Sequence, residues 1–379
     1  MFLTLRKFEK RVQDLDQVRY RDLQSIFPFV SMEDNASVDD IHTKCIDVVD
    51  GELVQQNEFF TGRDKYFWLR KKTILPAERA GHQVVGLFDF GKTGGGHNSG
   101  FESLLYVDRE PWQGVDSNHH DSIFQDLAGK KVELTFMLWT GLEGGGTPQI
   151  HYHQLKQADI GYLHLDADAL YYYAKAILGT IQHLPEDRIE RHQLIAIMDR
   201  TLLKINWTSE YRYDSISEAL SYLEAELSKM EKSNHYQVSV IGHTHIDVAW
   251  LWRLKHTREK SIRSFSTVLR LMEEFDEYIF LQSQPQLYKY IKSDYPEIYA
   301  KMKERIQDGR WEADGGMWLE ADCNISSGEA LVRQFLHGCH FLNQEFGQKC
   351  EYLWLPDVFG YSWALPQILK QCNIKTSQS

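Results

Sequence analysis

Three rhythms of apolar and polar positions succeed one another along the chain. Residues 1 to 30 place apolar positions among charges at helical spacing and predict a charged helix, followed by a polar connector, SMEDNASVDD. From about Lys65 to Leu165 the pattern shortens to alternating or aromatic runs, YFWLRKKTIL, HQVVGLFDF, SLLYVD, KVELTFMLW and GYLHLDA, separated by glycine clusters in GKTGGG and GLEGGG. Short strands spaced in this way predict an antiparallel sandwich. Helical spacing returns in ALYYYAKAILGTIQHL, RIERHQLIAIMDRTLLKI and SISEALSYLEAELSKMEKS, and the polar end of the last sets a boundary near Ser233.

After that boundary strands and helices alternate. QVSVIG leads to a helix near Arg258 to Phe275, IFLQSQ to a helix from Asp294 to Gln307, and RWEADGG to a helix that opens with capping-box spacing at Ser326 and Glu329 and runs to about Phe346. YLWLP and ALPQILKQ complete the series. Such alternation implies a parallel sheet, whose reactive residues lie just past the carboxyl ends of the strands.

Composition narrows the function more than the fold. The chain has 379 residues, 42% apolar and 25% charged, with 54 acidic against 42 basic side chains and a net charge of −12. That is the balance of a soluble globular protein of two or three domains, and it excludes collagen-like, disordered and disulfide-stapled scaffolds. An acidic chain without a basic domain argues against nucleic acid as a partner. Neither a run of 18 apolar residues nor a signal-peptide core interrupts the sequence, which points to no membrane and a cytoplasmic location. Cys45, Cys323, Cys339, Cys350 and Cys372 contain no C-x-x-C pair and read as free thiols.

Gly86 to Thr93 spells G-x-x-x-x-G-K-T, yet strand formers fill its interior and Gly94–Gly96 follow, at a cost of about 1 kcal/mol per glycine in the helix a phosphate loop must open. It reads as a strand ending in a turn. HTHIDVAWLWR, residues 243 to 253, follows an apolar strand. An H-x-H-x-D array on extended backbone sends His243, His245 and Asp247 to one side, a donor set suited to zinc or cobalt. Trp250 and Trp252 add aromatic faces of the kind that sugar rings use. Asp357, in YLWLPDVFGYSWALPQIL, ends another strand at the same mouth. Its carboxylate could attack an anomeric carbon as retaining glycosidases require. His119–His120, His151 with His153, and His337 with His340 lack this context and read as surface or core histidines.

HTHIDVAWLW, GRWEADGGMWLEADCNISSGEALVRQF and EYLWLPDVFGYSWALPQIL, in this order, resemble glycoside hydrolase family 38, the α-mannosidases, and most nearly their bacterial and cytosolic branch. The likeness runs from about residue 236 to 372. It implies an amino-terminal β-sandwich with helices followed by a partial (β/α) barrel-like domain. The corresponding divisions are a helical segment at 1–60, a sandwich-like domain at 61–166, a helical connector at 167–235 and an incomplete catalytic domain at 236–379.

By the resemblance, His245, Asp247 and Asp357 match ligands of one zinc or cobalt ion. Asp357 also matches the nucleophile, and Trp250 and Phe359 match residues lining the sugar subsite. His243 is not carried over, and Ala321 stands where the family pattern has proline, so Glu320 and Asp322 receive no role. The implied reaction removes terminal non-reducing α-D-mannose from oligosaccharides through a covalent mannosyl-enzyme. Family members continue for several hundred residues, through the acid/base carboxylate and another histidine ligand. This leaves two readings: an enzyme, through a partner chain carrying the rest or as part of a longer gene product, or a truncated non-catalytic fragment. The partners expected are the α-mannoside substrate and either a second copy, as a homo-oligomer, or the missing carboxyl-terminal part.

Overall fold

The computed structural model describes residues 4–34, 44–48, 51–91, 101–208, 210–231 and 237–378. Helix α1 (Thr4–Val18) is followed by β1 (Tyr20–Ser25), β2 (Phe29–Glu33), β3 (Glu52–Val54), β4 (Phe59–Gly62), β5 (Tyr66–Ile74), β6 (His82–Asp89), β7 (Glu102–Val107), β8 (Glu110–Asp116), β9 (Asp121–Ile123), β10 (Lys131–Trp139), β11 (His151–Gln154) and β12 (Gln157–His164). Then come α2 (Leu165–His183), α3 (Ile189–Lys204) and α4 (Arg212–Ser228). The remainder alternates β13 (Gly242–His243), α5 (Leu254–Glu274), β14 (Phe280–Leu281), α6 (Pro285–Asp294), α7 (Pro296–Gln307), β15 (Trp311–Glu312), α8 (Gly328–Phe346), β16 (Tyr352–Trp354), α9 (Leu365–Gln371) and β17 (Thr376–Gln378).

Among the described residues the expected antiparallel region is present as two larger sheets, ordered β1-β12-β6-β9 and β3-β2-β5-β10-β7-β8, with β4 and β11 paired in a third. The two larger sheets face each other across a core of Phe29, Phe88, Phe136, Leu105 and Ile160. Strand alternation gives the six-stranded sheet a second buried face, where Tyr66, Trp68, Leu104, Tyr106, Met137 and Trp139 share a core with Ile262, Phe265 and Trp311. With both faces covered, these strands read as near-continuous apolar runs. The G-x-x-x-x-G-K-T lookalike begins inside β6, where Gly86 is paired with Ile160 on one side and Ser122 on the other, so this stretch is committed to the sheet. Its Lys92 and Thr93 lie outside the described residues.

The helix expected over residues 1 to 30 ends at Val18, and Tyr20–Ser25 and Phe29–Glu33 are strands. Pro28 cannot continue a helix, and β1 and β2 find partners in β12 and in β3 and β5. The stretch 1–60 therefore supplies strands to both sheets and one helix, α1, whose Phe8, Val12 and Leu15 pack with Leu170, Ile197 and Leu220 of α2, α3 and α4.

Among the described residues of the last region, β13, β14 and β15 form a parallel sheet, β16 pairs in parallel with β17, and Gly315 bridges to Leu353. The architecture is mixed α/β, with antiparallel sheets followed by parallel pairings between helices. QVSVIG contributes only Gly242 to a strand, and Val238 and Val240 are exposed. The helix expected from Asp294 to Gln307 is α7, which starts two residues later with Pro296 at its first position, and a further helix not expected from the sequence, α6, precedes it. Helix α8 is capped by Ser327, whose hydroxyl accepts from the Ala330 N–H, one residue later than the spacing suggested.

Candidate metal and carbohydrate site

The site grows from loops that follow β13, β14 and β16, held from beneath by aromatic packing. Trp311 is fully buried with ring centroids 4.8 Å from Phe280 and 5.3 Å from Phe265. Its indole N–H donates to the Tyr288 hydroxyl at 2.8 Å, which in turn donates to the Gln282 carbonyl at 2.9 Å. Gln282 is itself buried, and its side-chain amide donates to the Thr244 carbonyl at 3.1 Å. Gln284 likewise donates to the Ile246 carbonyl at 3.0 Å. The loop after β14 thus splints the backbone on both sides of His245.

His245, Asp247 and Asp357 converge, each offering one ligand atom within 4.8 Å of the others. His245 Nε2 lies 3.3 Å from Asp247 Oδ1 and 3.4 Å from Asp357 Oδ2. Asp357 sits on the turn after β16 and is the most open of the three, its side chain 49% exposed. On the far side of the ring, His245 Nδ1 lies 2.8 Å from Glu320 Oε2. Glu320 also accepts from the Gln284 amide at 3.2 Å. Hydrogen bonds to Asp247 and then to Glu320 push the His245 pKa up to about 10, against the opposing effect of burial.

His243 does not join this group, because both of its ring nitrogens are taken. Nδ1 pairs with the Leu281 carbonyl at 3.0 Å, and Nε2 accepts the Trp354 indole N–H at 3.1 Å. The H-x-H-x-D array therefore splits: β13 ends at His243, and the alternation that would align the two imidazoles is lost. Burial lowers the His243 pKa.

Trp250 is 51% exposed and meets Trp252 edge-on at 5.4 Å. Phe359, two residues beyond Asp357, is 90% exposed. Elsewhere, His119 pairs with Asp116 at 3.0 Å, His151 and His153 are buried on β11, and His337 and His340 lie along α8. Glu320 is the residue that motif reading passed over. Its signal was a carboxylate inside a matching segment, and only its 2.8 Å contact with His245 distinguishes it from Asp322, which instead caps the backbone N–H groups of Asn324 and Ile325.

The donor set fits a divalent ion. An imidazole nitrogen with two carboxylates suits zinc or cobalt, and a further carboxylate on the far ring nitrogen, here Glu320, is the usual companion of a metal-bound histidine.

Residues 235–378 match the family described as Glycosyl hydrolases family 38 N-terminal domain. Through this segment the chain is similar to glycoside hydrolase family 38, a class of glycosidases. Among individual relatives it is 32% identical over 322 residues to Alpha-mannosidase 2C1 from Mus musculus, covering 81% of this chain and 30% of the relative. It is 37% identical over 234 residues to Alpha-mannosidase from Saccharomyces cerevisiae, covering 59% of this chain and 21% of the relative. Alpha-mannosidase G from Dictyostelium discoideum is 34% identical over 223 residues, 59% of this chain and 20% of the relative. The chain thus spans between a fifth and a third of the length of these curated relatives.

Proposed function

We propose that these residues serve a retaining α-mannosidase that removes terminal non-reducing α-D-mannose from oligosaccharides. The observation that carries this reading is the convergence of His245, Asp247 and Asp357 from two separate loops. In this assignment all three hold one zinc or cobalt ion, which when bound supplies a Lewis acid for sugar hydroxyls.

Asp357 is the nucleophile, and its exposure on the turn after β16 suits a group that must reach substrate. Its carboxylate oxygen forms a bond to the anomeric carbon as the glycosidic bond breaks, and the leaving oxygen takes a proton from an acid. Water then displaces the carboxylate, giving mannose with retained configuration. Glu320 accepts the Nδ1 proton of His245 and so directs Nε2 toward Asp247 and Asp357. Trp250 and Phe359 offer apolar faces to the sugar ring.

On this reading β1 to β12 form the sandwich-like domain, α1 with α2, α3 and α4 the helical part, and the alternating strands and helices from β13 onward part of a (β/α) barrel. No helix among the described residues is long and apolar enough to cross a membrane, and the five cysteines are free. The free thiols favour a reducing compartment such as the cytoplasm.

The test is hydrolysis of an aryl α-mannoside by the purified full chain, with and without added zinc or cobalt. Metal-dependent turnover that Asp357→Asn abolishes supports the assignment. Rates equal to buffer with every metal refute it for this chain, and unchanged turnover in Asp357→Asn removes the nucleophile.

A further inference from the structure

We infer that Asp64, on the turn between β4 and β5, is a positioning residue for the Asp247 carboxylate, acting through the first turn of α5. This rests on the proposed role of Asp247 as an ion ligand. Asp64 belongs to the antiparallel region and is 183 residues away in sequence from Asp247.

The Asp64 turn is fixed before it touches anything in the site. Asp64 adopts φ 60°, its backbone N–H donates to the Gly141 carbonyl at 3.0 Å, and the next N–H donates to Thr140 Oγ1 at 3.0 Å. Its carboxylate Oδ1 accepts the Trp139 indole N–H at 2.9 Å and faces His256 Nε2 at 2.8 Å, while Oδ2 pairs with the Arg253 guanidinium. His256 is buried and stacked on Trp139 at 4.6 Å.

From there the path is continuous. The Arg253 backbone N–H donates to His256 Nδ1 at 3.0 Å, so the ring proton resides on Nε2 and is donated to Asp64. This fixes where α5 starts. In the same turn, Thr257 Oγ1 donates to the Asp247 carbonyl at 2.8 Å, and Trp252 Nε1 lies 3.0 Å from Thr257 Oγ1 and 3.3 Å from that carbonyl. The backbone of Asp247 is thus held by α5, and the register of α5 is held by Asp64.

Stability alone is a poor reason for this arrangement. The surrounding interface combines aromatic packing with buried ion pairs such as Arg263 with Glu102, and burying a carboxylate with its partners seldom gains over well-packed apolar side chains. Fixing the direction of a ligand requires a directional contact, which hydrogen bonds supply and apolar packing does not.

The experiment is a titration of the full chain with cobalt(II) chloride, followed by the visible absorption of bound cobalt, with circular dichroism on every variant. The wild type is expected to bind, His245→Ala to lose binding, and Asp64→Ala to bind about tenfold more weakly while keeping its secondary structure. Asp64→Asn keeps an acceptor for His256 but loses the charge facing Arg253, and should fall between. Thr257→Val, which removes the donor to Asp247, should also weaken binding. Arg263→Met breaks the pairing with Glu102 elsewhere on the same interface, and should lower the melting temperature with cobalt affinity unchanged.

Should Asp64→Ala fail to fold, Asp64→Asn and Thr257→Val decide the matter. Wild-type affinity in the Asp64 and Thr257 variants, with binding lost in His245→Ala, overturns the inference and leaves the ligand assignment standing. No cobalt binding by the wild type, or full binding by His245→Ala, overturns both.

Discussion

Glu320 Oε2 lies 2.8 Å from His245 Nδ1, on the opposite side of the ring from Asp247 and Asp357, and only 5% of its side chain is exposed. The contact leaves Nε2 as the nitrogen that can accept an ion. Glu320→Gln keeps an acceptor at Nδ1 but removes the charge, so zinc affinity, measured by competition with a chromophoric chelator, should fall about tenfold. Glu320→Ala should cost closer to a hundredfold. Unchanged affinity in both would mean that Glu320 plays no part in orienting His245.

The Asp64 carboxyl offers a test by acid. Burial by itself would raise its pKa, but the hydrogen bonds from His256 and Trp139 and the charge of Arg253 outweigh burial and hold it at about 2, against an ordinary 3.8. A group with a depressed folded-state pKa stabilises the protein above its unfolded value and loses that contribution as pH falls through the folded one. Asp64 should therefore contribute about 2 kcal/mol above pH 3.8, lost as pH falls toward 2. Urea unfolding at stepped pH should show a shallower acid slope in Asp64→Asn than in the wild type.

Trp250 tests the sugar platform separately from the metal. Half-exposed and packed edge-on against Trp252, it supports no hydrogen bond to Asp247, a task that falls to Trp252 and Thr257. Trp250→Ala should leave zinc affinity intact while weakening α-mannoside binding about tenfold, the effect of removing one aromatic contact worth about 1 kcal/mol or slightly more. Equal losses in both would place Trp250 in the support of the loop instead.

Trp311 tests the support beneath the site. It is fully buried and starts the chain of hydrogen bonds through Tyr288 to the Gln282 carbonyl. Trp311→Ala should cost about 3–5 kcal/mol by denaturant unfolding. Trp311→Phe keeps most of the packing but not the indole N–H, and should cost less while leaving the Tyr288 hydroxyl without its donor.

Much of this organisation is legible in the chain because it rests on local pattern. The helices α2, α3 and α4 show their apolar spacing openly, and the strands β5, β6, β7 and β10 announce themselves by aromatic and branched runs. The ion-ligand candidates stand out because imidazole and carboxylate side by side after an apolar strand need a reason to be there. What stayed hidden depends on distant partners. β1 and β2 gain their extended form from β12 and β5, which nothing in residues 20–33 reveals. His243 looks as good a ligand as His245 until Trp354, 111 residues on, is seen to occupy its Nε2. Glu320 and Asp64 matter only through contacts made across the fold, which motif spacing does not encode.

The most direct check on the whole account is anomalous X-ray scattering at the zinc absorption edge from crystals of the full chain grown with zinc. The account calls for a peak bounded by His245 Nε2 and the carboxylates of Asp247 and Asp357, with Glu320 still on His245 Nδ1. A map with no peak there, or with zinc bound only by other residues, would contradict it.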